Sequence, residues 1–163
     1  MLTTPIDWAV QMLDESAGVE AVQRILRQSV RASVHANGAT VVLLSDNECY
    51  YVDEDAMSPL WKGQRFPVNA CISGWAMLHR QTVVVPDIAI DDRIPQNAYR
   101  PTFVRSLVMV PMRVADPLGA IGAYWARRYR ASTSEVETLE RIAEAAGAAL
   151  ARPAPLRPAQ TEG

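Results

Sequence analysis

Two apolar, β-prone runs, Val104–Val110 and Leu118–Trp125, are joined only by the short connection Pro111–Pro117. Strands that run parallel need a crossover of about a dozen residues or more, so these two must pair as an antiparallel hairpin. From Leu107 to Val110 and from Leu118 to Trp125 apolar residues follow one another rather than alternate, which places both strands in the sheet's centre. Any fold open to this chain is therefore built on an antiparallel sheet with something packed on each side.

The remaining elements follow from local pattern. Ile6, Val10 and Leu13, spaced by four and three after Pro5, mark a short amphipathic helix. Val19, Val22, Ile25, Leu26 and Val30 oppose Gln23, Arg24, Arg27 and Arg31 in a second helix, ended by Asn37-Gly38. Thr40–Leu44 and Cys49–Val52, joined by Ser45–Glu48, predict a further hairpin. Asp53–Gln64 shows no regular pattern. Ile72, Trp75, Ala76 and His79 carry helical spacing, and Thr82–Val85 is a strand stopped by Pro86. Asp87–Pro101 is turn-rich, with one helical turn expected near Gln96–Tyr99. Ser132 and Glu135 form a capping-box pair that opens a long helix with the stripe Val136, Leu139, Ala143, Ala146 and Leu150.

These elements predict an α+β sandwich. A single antiparallel sheet of five or six strands carries the terminal helices on one face and loops with short helices on the other. At 163 residues the chain has the size of one core. The expected organisation is an N-terminal helix over 1–15, the main domain over 16–152 and a proline-rich, disordered tail over 153–163.

The formal net charge of −2 lacks the basic excess that neutralises a phosphate backbone, so nucleic acid is not an expected partner. No apolar run approaches the roughly 20 residues of a membrane span, and Met1–Pro5 does not open a signal peptide. The expected location is the cytoplasm, with Cys49 and Cys71 as reduced thiols.

Several segments resemble GAF domains, over about Val19 to Arg152. They are Ile72-Ser73-Gly74-Trp75-Ala76, Val83–Ile88 with Asp92-Arg93-Ile94-Pro95, Tyr99–Pro111 and Ile121–Ala126. Their wording is similar to GAF domains of bacterial two-component sensor histidine kinases. The resemblance implies a non-enzymatic sensor of a small molecule that passes its state through its end helices to an output module. Too few residues follow the last helix to make a kinase, so that module is expected in trans or in a longer parent chain.

The resemblance also places the ligand beneath the loop Asp87–Arg105, with Phe66, Trp75, Asp87, Tyr99, Arg105, Ser106 and Val108 as its expected contacts. Strand alternation puts Ser106, Val108 and Val110 on one face, which is assigned to the pocket. No motif names a cofactor. Cyclic-nucleotide-binding relatives carry an Asn-Lys-x-x-Asp type motif that Tyr50–Lys62 lacks, and Pro95–Arg105 has no cysteine for a covalent bilin. Free methionine sulfoxide reductases of this family use several pocket cysteines. Cys49 and Cys71 do not match those positions and are each read as an isolated buried hydrophobe.

His35 and His79 have no partner at metal-ligand spacing, and Asp87, Asp91 and Asp92 are read as turn formers. A sulfoxide reductase and a dimerisation module with an empty pocket stand as the alternatives to the sensor. A homodimer through the terminal helices is expected, because Ile6, Val10 and Leu13 have no evident place in a one-core domain.

Overall fold

The computed structural model describes residues 4–153. Helices α1 (Pro5–Asp14) and α2 (Val19–Ser33) precede strands β1 (Gly38–Ser45), β2 (Glu48–Ala56) and β3 (Arg65–Pro67). Helix α3 (Ile72–His79), strand β4 (Val83–Val85), a 3-10 turn at Ile88–Ile90 and the single-turn helix α4 (Gln96–Tyr99) follow. Strands β5 (Ser106–Met112) and β6 (Gly119–Trp125) and helix α5 (Thr133–Ala151) complete the chain.

The constraint set by the short Pro111–Pro117 connection is met: β5 and β6 pair antiparallel, from Ser106 opposite Trp125 to Met112 opposite Gly119. The six strands form one antiparallel sheet in the order β3-β2-β1-β6-β5-β4. β1 and β6 hold the centre, and β5 is interior between β6 and β4. Asp46 and Asn47 turn β1 into β2 with φ of 52° and 61°, left-handed values that these two short polar residues tolerate. β3 was not anticipated, since three residues are too few to show a period.

Helices α1, α2 and α5 cover one face. Val22, Ile25, Leu26 and Val30 of α2 and Leu139, Ile142, Ala143 and Ala146 of α5 pack on Val41, Val108, Val110, Ile121 and Ala123 of the sheet. The capping box holds α5 in place, with Glu135 N–H donating to Ser132 Oγ and Ser132 N–H donating to Glu135 Oε1. Gly147 lets α5 approach β5 closely, because a Cβ there would meet Arg113 Cβ and backbone N.

Helix α1, whose apolar residues had no evident place in the sequence, has one within this chain. Its Ala9 and Leu13 are completely buried within this chain, with Ile6, Trp8 and Met12 packed beside them. Arg152 secures it by donating from Nε to the Ser16 carbonyl and from Nη2 to the Leu13 carbonyl. The third helix packs on α2 and α5 rather than on the sheet. The tail expected over 153–163 lies outside the described residues except for Pro153. Among the described residues, no helix is long and apolar enough to cross a membrane.

Candidate functional site

On the other face of the sheet, α3 and the segments around it border a cavity of about 480 Å³ that opens to the surface. One rim is the stretch Val68–Cys71, which runs directly over α3. That approach requires Gly74, since a Cβ there would overlap the Val68 carbonyl. The other rim is Asp92–Pro95. It is held by Asp91, which accepts from Arg93 N–H at 3.0 Å, Nε at 2.9 Å and Nη2 at 2.6 Å. These bonds from Arg93 hold the Asp91 carboxyl below its usual pKa.

Trp75 forms the cavity's aromatic wall. The Arg93 guanidinium lies 4.7 Å from its ring centre, and the His79 ring stacks on it at 3.9 Å with 15° between planes. His79 Nδ1 is 2.9 Å from the Trp75 carbonyl, a geometry in which that nitrogen donates its proton. Asn69, Asp92 and Cys71 add polar atoms among the apolar Val68, Leu78, Ile94 and Pro95. A few polar groups converging in an apolar concavity of this size is the composition of a small-molecule site.

Cys71 and Pro95 also wall a second, narrow gap of about 10 Å³ beside Tyr51, Trp61, Phe66 and Tyr99. This is the aromatic floor. Trp61 stands 4.6 Å from Tyr99, 5.6 Å from Tyr51 and 5.5 Å from Tyr124 between ring centres, and its Nε1–H donates to the Ala98 carbonyl at 3.0 Å. Glu54 holds its loop by accepting from the N–H groups of Leu60, Trp61 and Lys62. Tyr99 OH is buried without a hydrogen-bond partner, whereas Tyr124 OH pairs with Thr40 Oγ1 at 2.8 Å and Tyr51 OH with Ser73 Oγ at 3.0 Å. Burial raises the pKa of all three phenols and keeps them neutral.

The cysteines are not isolated, which corrects the sequence reading. Cys49 on β2 and Cys71 at the N-cap of α3 meet in the same buried cluster. The Cys71 thiol donates to the Pro67 carbonyl at 3.5 Å, and the neighbouring Cys49 thiol lowers the Cys71 pKa to about 6. The Ser73 hydroxyl, 3.4 Å away, and the Ser73 and Gly74 N–H groups of the helix start assist against the opposing effect of burial. Cys71, followed by burial, pushes the Cys49 pKa up.

Of the residues expected from sequence, Trp75 lines the cavity, and Phe66 and Tyr99 line the gap beside it. Ser106 and Val108 are on the wrong face. Val108 belongs to the core beneath the terminal helices, and Ser106 alternates with it, opposite Trp125 of that same core, donating to the Arg127 carbonyl at 2.7 Å. β5 is buried on both sides along its whole length, so alternation separates its two faces without saying which one meets the helices. Asp87 and Arg105 lie outside the cavity wall. Asp87 caps the 3-10 turn through Ala89 N–H and pairs with Arg128 at 3.3 Å, while the exposed Arg105 bridges through its backbone to Trp125 and Ile88. Tyr51, Trp61, Cys71, His79 and Arg93 were missed as site residues. Of these five, only Arg93 sits in a segment whose wording resembles the family's.

Residues 17–151 match the family model described as GAF domain, and the chain belongs to that family. No curated protein sequence matches the chain. Among solved structures it is similar to the GAF domain of a phosphoenolpyruvate-protein phosphotransferase from Coxiella burnetii, at TM-score 0.76, 12% identity and 89% coverage of each chain. It is also similar to the reduced form of fRMsr from Staphylococcus aureus, at TM-score 0.71 and 18% identity over 90% of this chain and 93% of that one. The GAF-B domain of DevS from Mycobacterium smegmatis matches at TM-score 0.65 and 17% identity, over 80% and 90% respectively. At these identities the likeness shows the shared fold.

Proposed function

We propose that this chain is a regulatory GAF domain that binds a small, partly planar molecule in the cavity between α3 and the Asp92–Pro95 rim. The cavity of about 480 Å³ walled by Trp75, His79 and Arg93 carries this reading, since its size and mixed lining suit a metabolite-sized ligand. Asp91 already neutralises much of Arg93, so the site favours a ligand recognised by ring contact and hydrogen bonds over a multiply charged anion. The route outward is the sheet itself. Leu107 and Met109 of β5 face the cavity-side core while Val108 and Val110 between them face the terminal helices, so a shift of α3 against β5 reaches α2 and α5 through one strand. A differential affinity for two arrangements of these helices is what a ligand needs to transmit a signal. An output module such as a sensor histidine kinase would read the helix layer.

A thermal-shift screen of small metabolites against the full chain tests this. A ligand at about 100 times its Kd stabilises by about 2.7 kcal/mol, well within the resolution of the method. The expected result is at least one compound whose shift is lost in Trp75→Ala and in Arg93→Ala. Ligands whose shifts survive both substitutions, or a screen without a single hit, would count against the reading.

A further inference from the structure

Strand β2 exchanges its faces part-way along. Cys49 and Tyr51 are buried on the cavity side, and strict alternation would send Asp53 there as well. Instead the register slips: Val42 stands opposite Tyr51 and Val41 opposite Asp53, which leaves Val52 as the extra residue of a β-bulge. The bulge turns Asp53 to the helix face, where its neighbour Val41 lies, and Glu54 to the cavity face, opposite Thr40 and its partner Tyr124.

Two consecutive carboxylates thus hold partners on opposite sides of the sheet. Asp53, completely buried, accepts from Gln23 Nε2 at 3.2 Å and from Arg27 Nη1 at 2.8 Å, both of α2. Glu54 accepts from the N–H groups of Leu60 and Trp61 at 2.9 Å and of Lys62 at 2.8 Å, the loop that carries the Trp61 ring into the aromatic floor. β3 pairs only with Glu48–Tyr50, so at Asp53 the sheet has an open edge, and Lys62 reaches round it to place Nζ 3.3 Å from Asp53 Oδ1. A buried carboxylate holds its cations firmly, because removing one leaves charge uncompensated. The seat of α2 and the seat of Trp61 are therefore set by adjacent residues of one strand.

We propose that the Asp53–Glu54 pair couples the ligand site to helix α2, so that the Trp61 loop and α2 shift together and occupancy of the site biases the seat of the helix. This rests on the reading of the cavity as a ligand site, and it adds a route outward at the sheet edge, apart from the one through β5. Trp61 stands 4.6 Å from Tyr99, and both line the narrow gap that shares Cys71 and Pro95 with the cavity. A ligand that widens the gap displaces Trp61, draws on Glu54 and, through the same stretch of β2, on Asp53 and Arg27.

Coupling of this kind is reciprocal, so it can be measured on the full chain without a ligand. Arg27→Gln cuts the α2 end of the link, and Arg27 makes its ion pair with Asp53 and none with the loop. Amide hydrogen exchange at Trp61 and Lys62 should nevertheless quicken at least about fivefold in this variant. Val30→Ala, which loosens α2 through a buried contact away from Asp53, is the control for general destabilisation and should leave those two amides slower than Arg27→Gln does. Urea unfolding of Arg27→Gln, Glu54→Gln and the double variant closes the cycle. The double variant should depart from the product of the single effects on the unfolding equilibrium constant by at least about fivefold, where independent sites agree within about twofold. Unchanged loop exchange in Arg27→Gln would overturn the proposal, and so would equal exchange in Val30→Ala or a cycle that multiplies out. Because no ligand is used, these failures count against the coupling alone, whereas a metabolite screen without a hit counts against the site.

Discussion

The two faces of this sheet are built from different materials. Beneath α1, α2 and α5 the core is aliphatic and small, rich in Ala, Val, Leu and Ile, and Trp125 is its one fully buried large aromatic residue. On the opposite face Tyr51, Trp61, Tyr99 and Tyr124 crowd together with two thiols, two cavities and one hydroxyl lacking a partner. Densely packed aliphatic layers give stability, whereas imperfectly filled aromatic layers with buried polar atoms give somewhere to bind. One sheet divides these duties because each strand sends alternate side chains to each side.

The sharpest way to break this division is to damage the helix face and measure both sides. Leu139 is completely buried on α5. Leu139→Ala should cost about 2–5 kcal/mol in urea unfolding, from lost transfer energy and the hole left behind. A ligand-induced stabilisation that depends on Trp75 should persist in the folded variant. A cost below about 1 kcal/mol would show that the helix layer is not the stabilising one.

A charge cluster at the edge of the helix layer gives a smaller effect with a pH signature. Asp53 of β2 has no exposed side-chain surface, yet it accepts from Gln23 Nε2 at 3.2 Å and Arg27 Nη1 at 2.8 Å of α2 and pairs with Lys62 at 3.3 Å. Burial pushes its pKa up, but these bonds and the one from Glu54 N–H outweigh it, and the net shift is downward. A carboxyl with a lower pKa folded than unfolded contributes stability above its unfolded value near about 3.9 and loses it as pH falls through the folded one. Asp53→Asn should therefore cost about 1.5–3 kcal/mol at pH 7, and the gap from wild type should close below about pH 4. Equal gaps at pH 7 and in acid would mean that the charge is irrelevant.

The same contrast explains what could be read from the sequence. The helix face was legible because its signals are local: the period of Val22, Ile25, Leu26 and Val30, the Ser132–Glu135 box, and the forced β5–β6 hairpin. The cavity face is assembled from contacts between distant residues. Cys49 and Cys71 are brought together only by the packing of α3 on β2, and Trp61 takes its place through Glu54 and Ala98 in a segment with no period. Phe66, Trp75 and Tyr99 were accessible because family wording pointed near them, while Ser106 and Val108 were misassigned because β5 is apolar on both sides. α1 looked surplus because no local feature reveals that Ala9 and Leu13 close the layer over α2 and α5.

The finest test sets two buried tyrosines of the cavity face against each other. Tyr124 OH is satisfied by Thr40 Oγ1, so Tyr124→Phe strands that hydroxyl and should cost about 1 kcal/mol. Tyr99 OH already bears the desolvation penalty with no bond in return. The neighbouring gap of about 10 Å³ is at or below the size that admits a water, so the hydroxyl gains no partner there. Tyr99→Phe removes the penalty while keeping the ring against Trp61, and should be neutral or stabilising by up to about 1 kcal/mol. If that hydroxyl exists to meet a ligand, the same substitution weakens binding of a hit whose shift depends on Trp75 and Arg93, while leaving the free chain no less stable. A destabilised Tyr99→Phe chain would show instead that the hydroxyl is held by the protein, and the cavity face would then be as fully satisfied as the face beneath the helices.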